Sequence, residues 1–307
     1  MKISTAYLFD RSVNQMSSVQ SDLAHTQAQV SAGKQVISPS DAPDQAAAIQ
    51  RLKSVLNHQD SYLKALTTVK ARLEGEDSNL QSVSDMLIRA KELAVQSAND
   101  TLNPANRKAW AVELKGLRDQ MLSMANSRDS NGNYLFGGSR VKQAPFAQDT
   151  MGQVTYKGDQ TRMQVRVGEQ RTIPLNRSGA EAFTPVIRTD AAGQTSARGF
   201  FGVMDDLIAG ITNSDRPAMQ RGVGEMDNLL NGISLARANV GTDLNVVDQQ
   251  SQAIDETKLT LKTTLSNIED LDMAEAITKM NKQMLSLEAS QSSFAKITQL
   301  NLFNFIK

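Results

Sequence analysis

The stretch YLKALTTVKARLEGEDSNLQSVSDMLIRAKELA, Tyr62 to Ala94, decides the fold. Tyr62, Leu66, Val69, Leu73, Glu76, Leu80, Val83, Leu87, Ala90 and Ala94 alternate steps of three and four for more than four heptads. A pattern sustained this long predicts a coiled-coil-like rod rather than a short globular helix. A second seam, Val240, Leu244, Val247, Ser251, Ile254, Lys258, Leu261, Leu265 and Ile268, has matching length. Two such rods are expected to pack together, with Glu76 and Lys258, polar interruptions of the two, at the edges of the seams or, alternatively, facing each other to fix register.

Outward from the rods, both chain ends carry the same period. Phe9, Ser12, Met16, Val19, Leu23, Thr26 and Val30 form one heptad seam. Ile277, Met280, Met284, Leu287 and Phe294 form an apolar stripe near the other end. Beyond Lys282 the only charges are Glu288, Lys296 and Lys307, so the face opposite that stripe is polar but hardly charged. Pairing of the two ends is expected. Ordering backbone costs about 1–2 kcal/mol per residue, and burying a large apolar side chain returns about 1.5–3 kcal/mol. Residues 1–35 and 270–307 are therefore expected to be unfolded in an isolated chain and helical once neighbouring copies cover them.

Between the helices the punctuation is readable. Gly33 marks a helix end, and the loop Ser31-Ala-Gly-Lys-Gln-Val-Ile-Ser-Pro-Ser-Asp-Ala-Pro-Asp44 leads to a helix start near Asp44. Asn103-Pro104 reads as N-cap and first residue of a helix with Trp110, Leu114, Leu117, Met121 and Met124 on its seam. Val154–Tyr156 and Thr161, Met163, Val165 and Val167 alternate with polar residues around Lys157-Gly-Asp-Gln160, which predicts a hairpin turning there. Helices resume near Phe201, with Met219, Val223, Met226, Leu230 and Ile233 beyond Pro217. The fold class is thus mainly α, an elongated antiparallel helical rod built from both chain ends with a small β-rich insertion. Its expected segments are 1–40, 41–130, 131–200, 201–269 and 270–307.

Candidate chemistry is sparse. The 33 basic and 33 acidic residues balance, which removes the net positive field of a nucleic-acid binder. With no Cys, disulfides, thiolate metal sites and cysteine nucleophiles are excluded. His25 and His58 stand on different predicted helices without metal-ligand spacing. Phe136-Gly-Gly-Ser139 lacks the Lys-Ser/Thr of a phosphate loop and reads as a turn. Asp205-Asp206 and Glu269-Asp270-Leu-Asp272 read as helix N-terminal acids. The 13 Met read first as core filling and second as adaptable contacts. No stretch is long enough to span a bilayer, and Asp10 and Arg11 follow the first apolar run too soon for a secretory signal. No catalytic residue, cofactor or metal site is expected.

The loop from Ser31 to Asp44, together with Ser266-Asn-Ile-Glu-Asp-Leu-Asp-Met-Ala-Glu-Ala-Ile277 and Leu300-Asn-Leu-Phe303, resembles the end regions of bacterial flagellins. Within that superfamily, Ser38-Pro-Ser-Asp-Ala-Pro43 and Asn133-Tyr-Leu-Phe-Gly-Gly-Ser139 are similar to the hook-associated members at the hook–filament junction. The resemblance implies a non-catalytic axial part of the flagellum, exported unfolded through the flagellar type III apparatus. It implies a homo-oligomeric ring between the other hook-associated junction protein and flagellin, with an export chaperone shielding the C-terminal stripe before secretion. Nucleic acid and membrane insertion have no place in it. Phe9, Met16, Val19, Leu23, Ile277, Met280, Met284, Leu287 and Phe294 would form the assembly and chaperone interface. Pro39 and Pro43 depart from the Lys-Asp-Asp-Ala-Ala-Gly-like run usual in flagellins, and the insertion is short. A short filament flagellin and a helical type III secretion tip protein are the alternatives.

Overall fold

The computed structural model describes residues 2–98, 104–189 and 193–303. Four long helices dominate: α1 (Lys2–Ala32), α2 (Pro43–Ser97), α6 (Arg216–Glu269) and α7 (Met273–Phe303). Among the described residues between α2 and α6 lie α3 (Pro104–Ala125), six short strands, the single turn α4 (Gly179–Ala182) and α5 (Phe200–Thr212). The chain divides into two compact units, Met1–Gln59 with Asp255–Lys307, and Asp60–Ile254.

The second unit holds the dense core. Leu66, Val69, Leu73, Leu80, Val83, Leu87, Ala90 and Ala94 of α2 are buried, as are Met219, Met226, Leu229, Ile233, Val240 and Val247 of α6. The predicted seams are therefore the packed faces. The two helices run antiparallel, as the ion pairs Lys70–Asp248 (2.8 Å), Asp77–Arg237 (3.0 Å) and Lys91–Asp227 (2.6 Å) mark: one partner's number rises as the other's falls. Helix α3 begins at Pro104, whose missing N–H costs nothing at that position; Asn103 lies outside the described residues. It packs against α5, which buries Phe200, Phe201, Val203, Met204, Leu207 and Ile211.

The inserted region is three separate antiparallel ribbons. β1 (Phe146–Gln148) pairs with β2 (Val154–Tyr156), β3 (Gln164–Arg166) with β4 (Thr172–Pro174), and β5 (Val186–Thr189) with β6 (Thr195–Arg198). The hairpin expected around Lys157–Gln160 is not formed. The turn lies earlier, where Asp149 Oδ1 accepts from the amides of Met151 and Gln153 and Gly152 takes φ 86°. Residues 157–160 connect two ribbons instead, because Asp159 reaches across to the Ser139 amide (2.7 Å) and hydroxyl. These hydrogen bonds, that of the Ser139 hydroxyl foremost, hold the Asp159 carboxyl below its ordinary range. The approach requires Gly138, at φ 67°, since a Cβ there would strike Asp159.

Aromatic residues are few, but Phe136, Phe146, Phe183, Phe200 and Phe201 meet in one cluster, most of them edge-on at 5.1–5.4 Å. This arrangement suits the ring quadrupole and gives the insertion a nucleus that its short strands could not provide. Arginines fasten it further. Arg118 pairs with Asp205 (3.0 Å) and donates to the Gly152 carbonyl (2.7 Å). Arg188 binds Asp206 and Glu225 (both 2.6 Å), and Arg198 binds Asp206 (2.7 Å). Asp205 and Asp206 are thus not helix N-terminal caps: α5 starts at Phe200, and both acids lie in its middle, opposite arginines.

Glu76 also differs from expectation. It is not at a seam edge but fully buried, with Arg72 beside it on α2 (Nε to Oε1, 3.8 Å). Burial pushes its carboxyl up to about 8, against the opposing pull of Arg72 and Arg177. Lys258 is half-buried and belongs to the other unit.

Candidate assembly surface

In the first unit, α1 and α7 lie against each other. Helix α1 ends in a left-handed glycine cap: Gly33 has φ 65°, its amide donates to Val30, and the Lys34 amide donates to Gln29. The chain then meets the α6–α7 junction in a short antiparallel bridge, with the Gln35 amide on the Glu269 carbonyl (2.8 Å) and the Leu271 amide on the Gly33 carbonyl (3.1 Å). Glu269 Oε1 receives Lys34 Nζ at 2.6 Å and Lys53 Nζ at 2.8 Å. The hydrogen bonds from Lys34 and then Lys53 hold its carboxyl below the usual glutamate range. Glu269 therefore closes α6 rather than opening α7. Asp272 does the opening, its Oδ1 accepting from the amides of Ala274 (2.9 Å) and Glu275 (3.1 Å).

The ends expected to be unfolded in an isolated chain are helical here in a single copy. Each has the other to lie against, and the Lys34–Asp270 bridge with the Glu269 ion pairs pins them together at one end. Their seam remains thin. On α1 it comprises Ser12, Met16, Val19, Leu23, Thr26 and Val30, of which only Thr26 is fully buried. On α7 it comprises Ala276, Met280, Gln283, Leu287, Ser290 and Phe294, of which only Ala276 is. The Phe9 and Phe294 rings touch with centroids 4.9 Å apart. Thr26 Oγ1 and Gln283 Oε1 are buried without a hydrogen-bond partner among the described residues, which weakens the pairing further.

The structure therefore splits the nine residues read from the sequence. Met16, Val19, Leu23, Met280, Leu287 and Phe294 are half-buried along the seam. Phe9 keeps 43% of its surface exposed despite its ring contact. Ile277 (41%) and Met284 (52%) point outward, and Tyr7, Val13, Met273 and Leu285, absent from the sequence-based set, are exposed with them. The stripe was drawn through apolar residues only, whereas Ala276, Gln283 and Ser290 occupy the inward positions between them.

A second exposed apolar feature lies in the same unit, a cleft of about 480 Å³ lined by Val36, Ile37, Pro39, Pro43 and Ile49, with Glu269 at its edge. Asp41 shapes its loop by accepting from the Ile37 (3.1 Å) and Ser38 (2.7 Å) amides. Among the described residues, no helix is long and apolar enough to cross a membrane, and no group of three His, Cys, Asp or Glu is placed to hold a metal ion.

Comparison with known proteins agrees with this architecture. Residues 3–140 match the bacterial flagellin N-terminal helical region, and residues 223–306 match the bacterial flagellin C-terminal helical region. The chain is 28% identical to flagellar hook-associated protein 3 of Salmonella typhimurium over 316 residues, covering 99% of each chain. It is 27% identical to flagellar hook-associated protein 3 of Escherichia coli over 320 residues, covering both completely. The crystal structure of flagellar hook-associated protein 3 from Legionella pneumophila has the same fold, with a TM-score of 0.64 at 17% identity over 72% of this chain and 98% of that one. Matched at both ends by the two helical regions that define it, this chain belongs to the bacterial flagellin family.

Proposed function

We propose that this chain is a structural, non-catalytic component of the bacterial flagellum that joins hook to filament and lets flagellin polymerise on the hook. The observation that carries this reading is the end-to-end similarity to flagellar hook-associated protein 3, which spans the short insertion as well as both helical ends. In this reading the segments 1–40 and 270–307 form the inner layer, 41–130 and 201–269 the next, and 131–200 the outer surface. The chain is exported through the flagellar type III apparatus and assembles as a homo-oligomeric ring between the other hook-associated junction protein and the first flagellin subunits.

The exposed side chains on α1 and α7 support an assembly role for the ends. Outward-facing Met273, Ile277, Met284 and Leu285 remain uncovered in one copy, and a seam of partial burial can shift where two lattices of different mechanical character meet. The same α7 surface is the place for an export chaperone before secretion.

Deleting the gene tests the reading. Intact hooks without filaments, with flagellin released into the medium, are expected. Full-length filaments would refute a junction role, and bare hooks without flagellin in the medium would point to the filament subunit itself.

A further inference from the structure

The charges buried against α2 in the second unit do not balance. Arg72 is paired with Asp129 (2.7 Å) and donates to the carbonyls of Tyr134 (3.0 Å) and Leu135 (2.9 Å). Arg177, just after β4, is paired with Asp243 of α6 (2.7 Å). Both arginines are almost fully buried. Glu76 is a third carboxyl facing these two guanidiniums; the Arg177 backbone amide approaches it, but neither of its oxygens has a partner of good hydrogen-bond geometry among the described residues. The charged groups around it are Arg72 from its own helix, Arg177 from the loop, and Asp243 from α6, with Asp129 behind Arg72. While Glu76 is neutral, each arginine keeps its own partner. Once ionised, it competes with Asp129 for Arg72 and with Asp243 for Arg177, and those pairs tie the segments around 127–135 and 175–178 to α2 and α6. An uncompensated buried charge is costly enough to force such a rearrangement.

We propose that Glu76 is a proton-dependent latch, holding the segments around 127–135 and 175–178 against α2 and α6 when neutral and releasing them when ionised. Room for the release exists beside it, in a cleft of about 760 Å³ lined by Arg72, Gly75, Asn79, Asp129, Asn133 and Leu135. The nucleus formed by α3, α5 and the phenylalanine cluster contains none of these pairs, so it stays closed.

Hydrogen exchange of the full chain from pH 5 to pH 9, corrected for intrinsic rates, tests the latch. Protection of amides in 127–135 and 175–178 should fall by about tenfold per pH unit for a one-proton opening as pH rises from about 5, and level off above about pH 8. Amides of α3 and α5 should keep theirs, and Glu76→Gln should flatten the profile. A flat wild-type profile, an equal fall across α3 and α5, or an unchanged fall in the variant would overturn the proposal. Should the variant not fold, the carboxyl carbon shift of Glu76 in labelled wild-type protein decides. Titration in the ordinary glutamate range would contradict the latch, and titration near pH 8 would support it.

Discussion

In the second unit Leu80, Val83, Leu87 and Val240 have no exposed surface. In the first, Met16, Val19, Met280 and Leu287 keep part of theirs, and Ile277 and Met284 face outward. Both units use long helices with heptad seams, so periodicity alone does not set how well a helix is buried. The second unit has additional layers, α3, α5 and an aromatic cluster, to cover its helices. The first has α1, α7 and the adjoining ends of α2 and α6 without such layers, and the α1–α7 seam is interrupted by Ser12, Thr26, Gln283 and Ser290. A densely packed body and a thinly covered pair of end helices are joined in one chain.

Truncating side chains should separate the two most sharply. Phe183→Ala, at the centre of the aromatic cluster, is expected to cost about 3–5 kcal/mol in denaturant unfolding. Met284→Ala is expected to stay within about 0.5 kcal/mol, as exposed substitutions do. Equal losses would erase the distinction. Arg72→Ala comes next, at about 3–5 kcal/mol, because it strands the Asp129 carboxylate and leaves the Tyr134 and Leu135 carbonyls without their donor.

The units should also respond to pH in opposite directions. Glu76 has a raised folded pKa, near 8, so the native state retains a proton that the unfolded chain releases above about 4.5. Stability of the second unit therefore falls as pH rises from about 5 to 8, by on the order of 1.4 kcal/mol per unit, and Glu76→Gln should remove that slope. Glu269 has a lowered folded pKa, so its contribution is present above its unfolded value and lost as pH falls through the folded one. Acidification below about pH 4 should loosen the Lys34 and Lys53 pairing, visible as faster exchange at Gln35 and Leu271. The smallest effect concerns a cap: Asp272→Ala should destabilise α7 by about 1 kcal/mol without changing unfolding of the second unit.

The rods were legible because Leu and Val repeat on α2 and α6 over many heptads, and Pro104 announced α3. The ribbon pairing was not. Strand residues around Val154 and Val165 were recognisable, but their turns depend on Asp149 and Asp159, side chains that bind backbone at positions local propensity does not weigh. Asp205 and Asp206 suit a helix start only if α5 begins beside them, whereas it begins at Phe200, and no local pattern links them to Arg118, Arg188 and Arg198. Glu76 reads from the sequence as a tolerated flaw in a seam, since apart from Arg72 the charged groups around it, Asp129, Arg177 and Asp243, lie far from it along the chain. On the candidate surface, the nine residues named the right helices but not their inward and outward faces. Ala276, Gln283 and Ser290 pack inward although nothing in their chemistry demands it.

The most direct test replaces Ile277 and Met284 together by Asp and returns that chain to a strain lacking its own copy. Because both side chains are already exposed, the purified variant should unfold with the wild-type midpoint for the second unit, yet the hooks should carry no filament. Full-length filaments and normal swimming with this variant would contradict an assembly role for the outward face of α7.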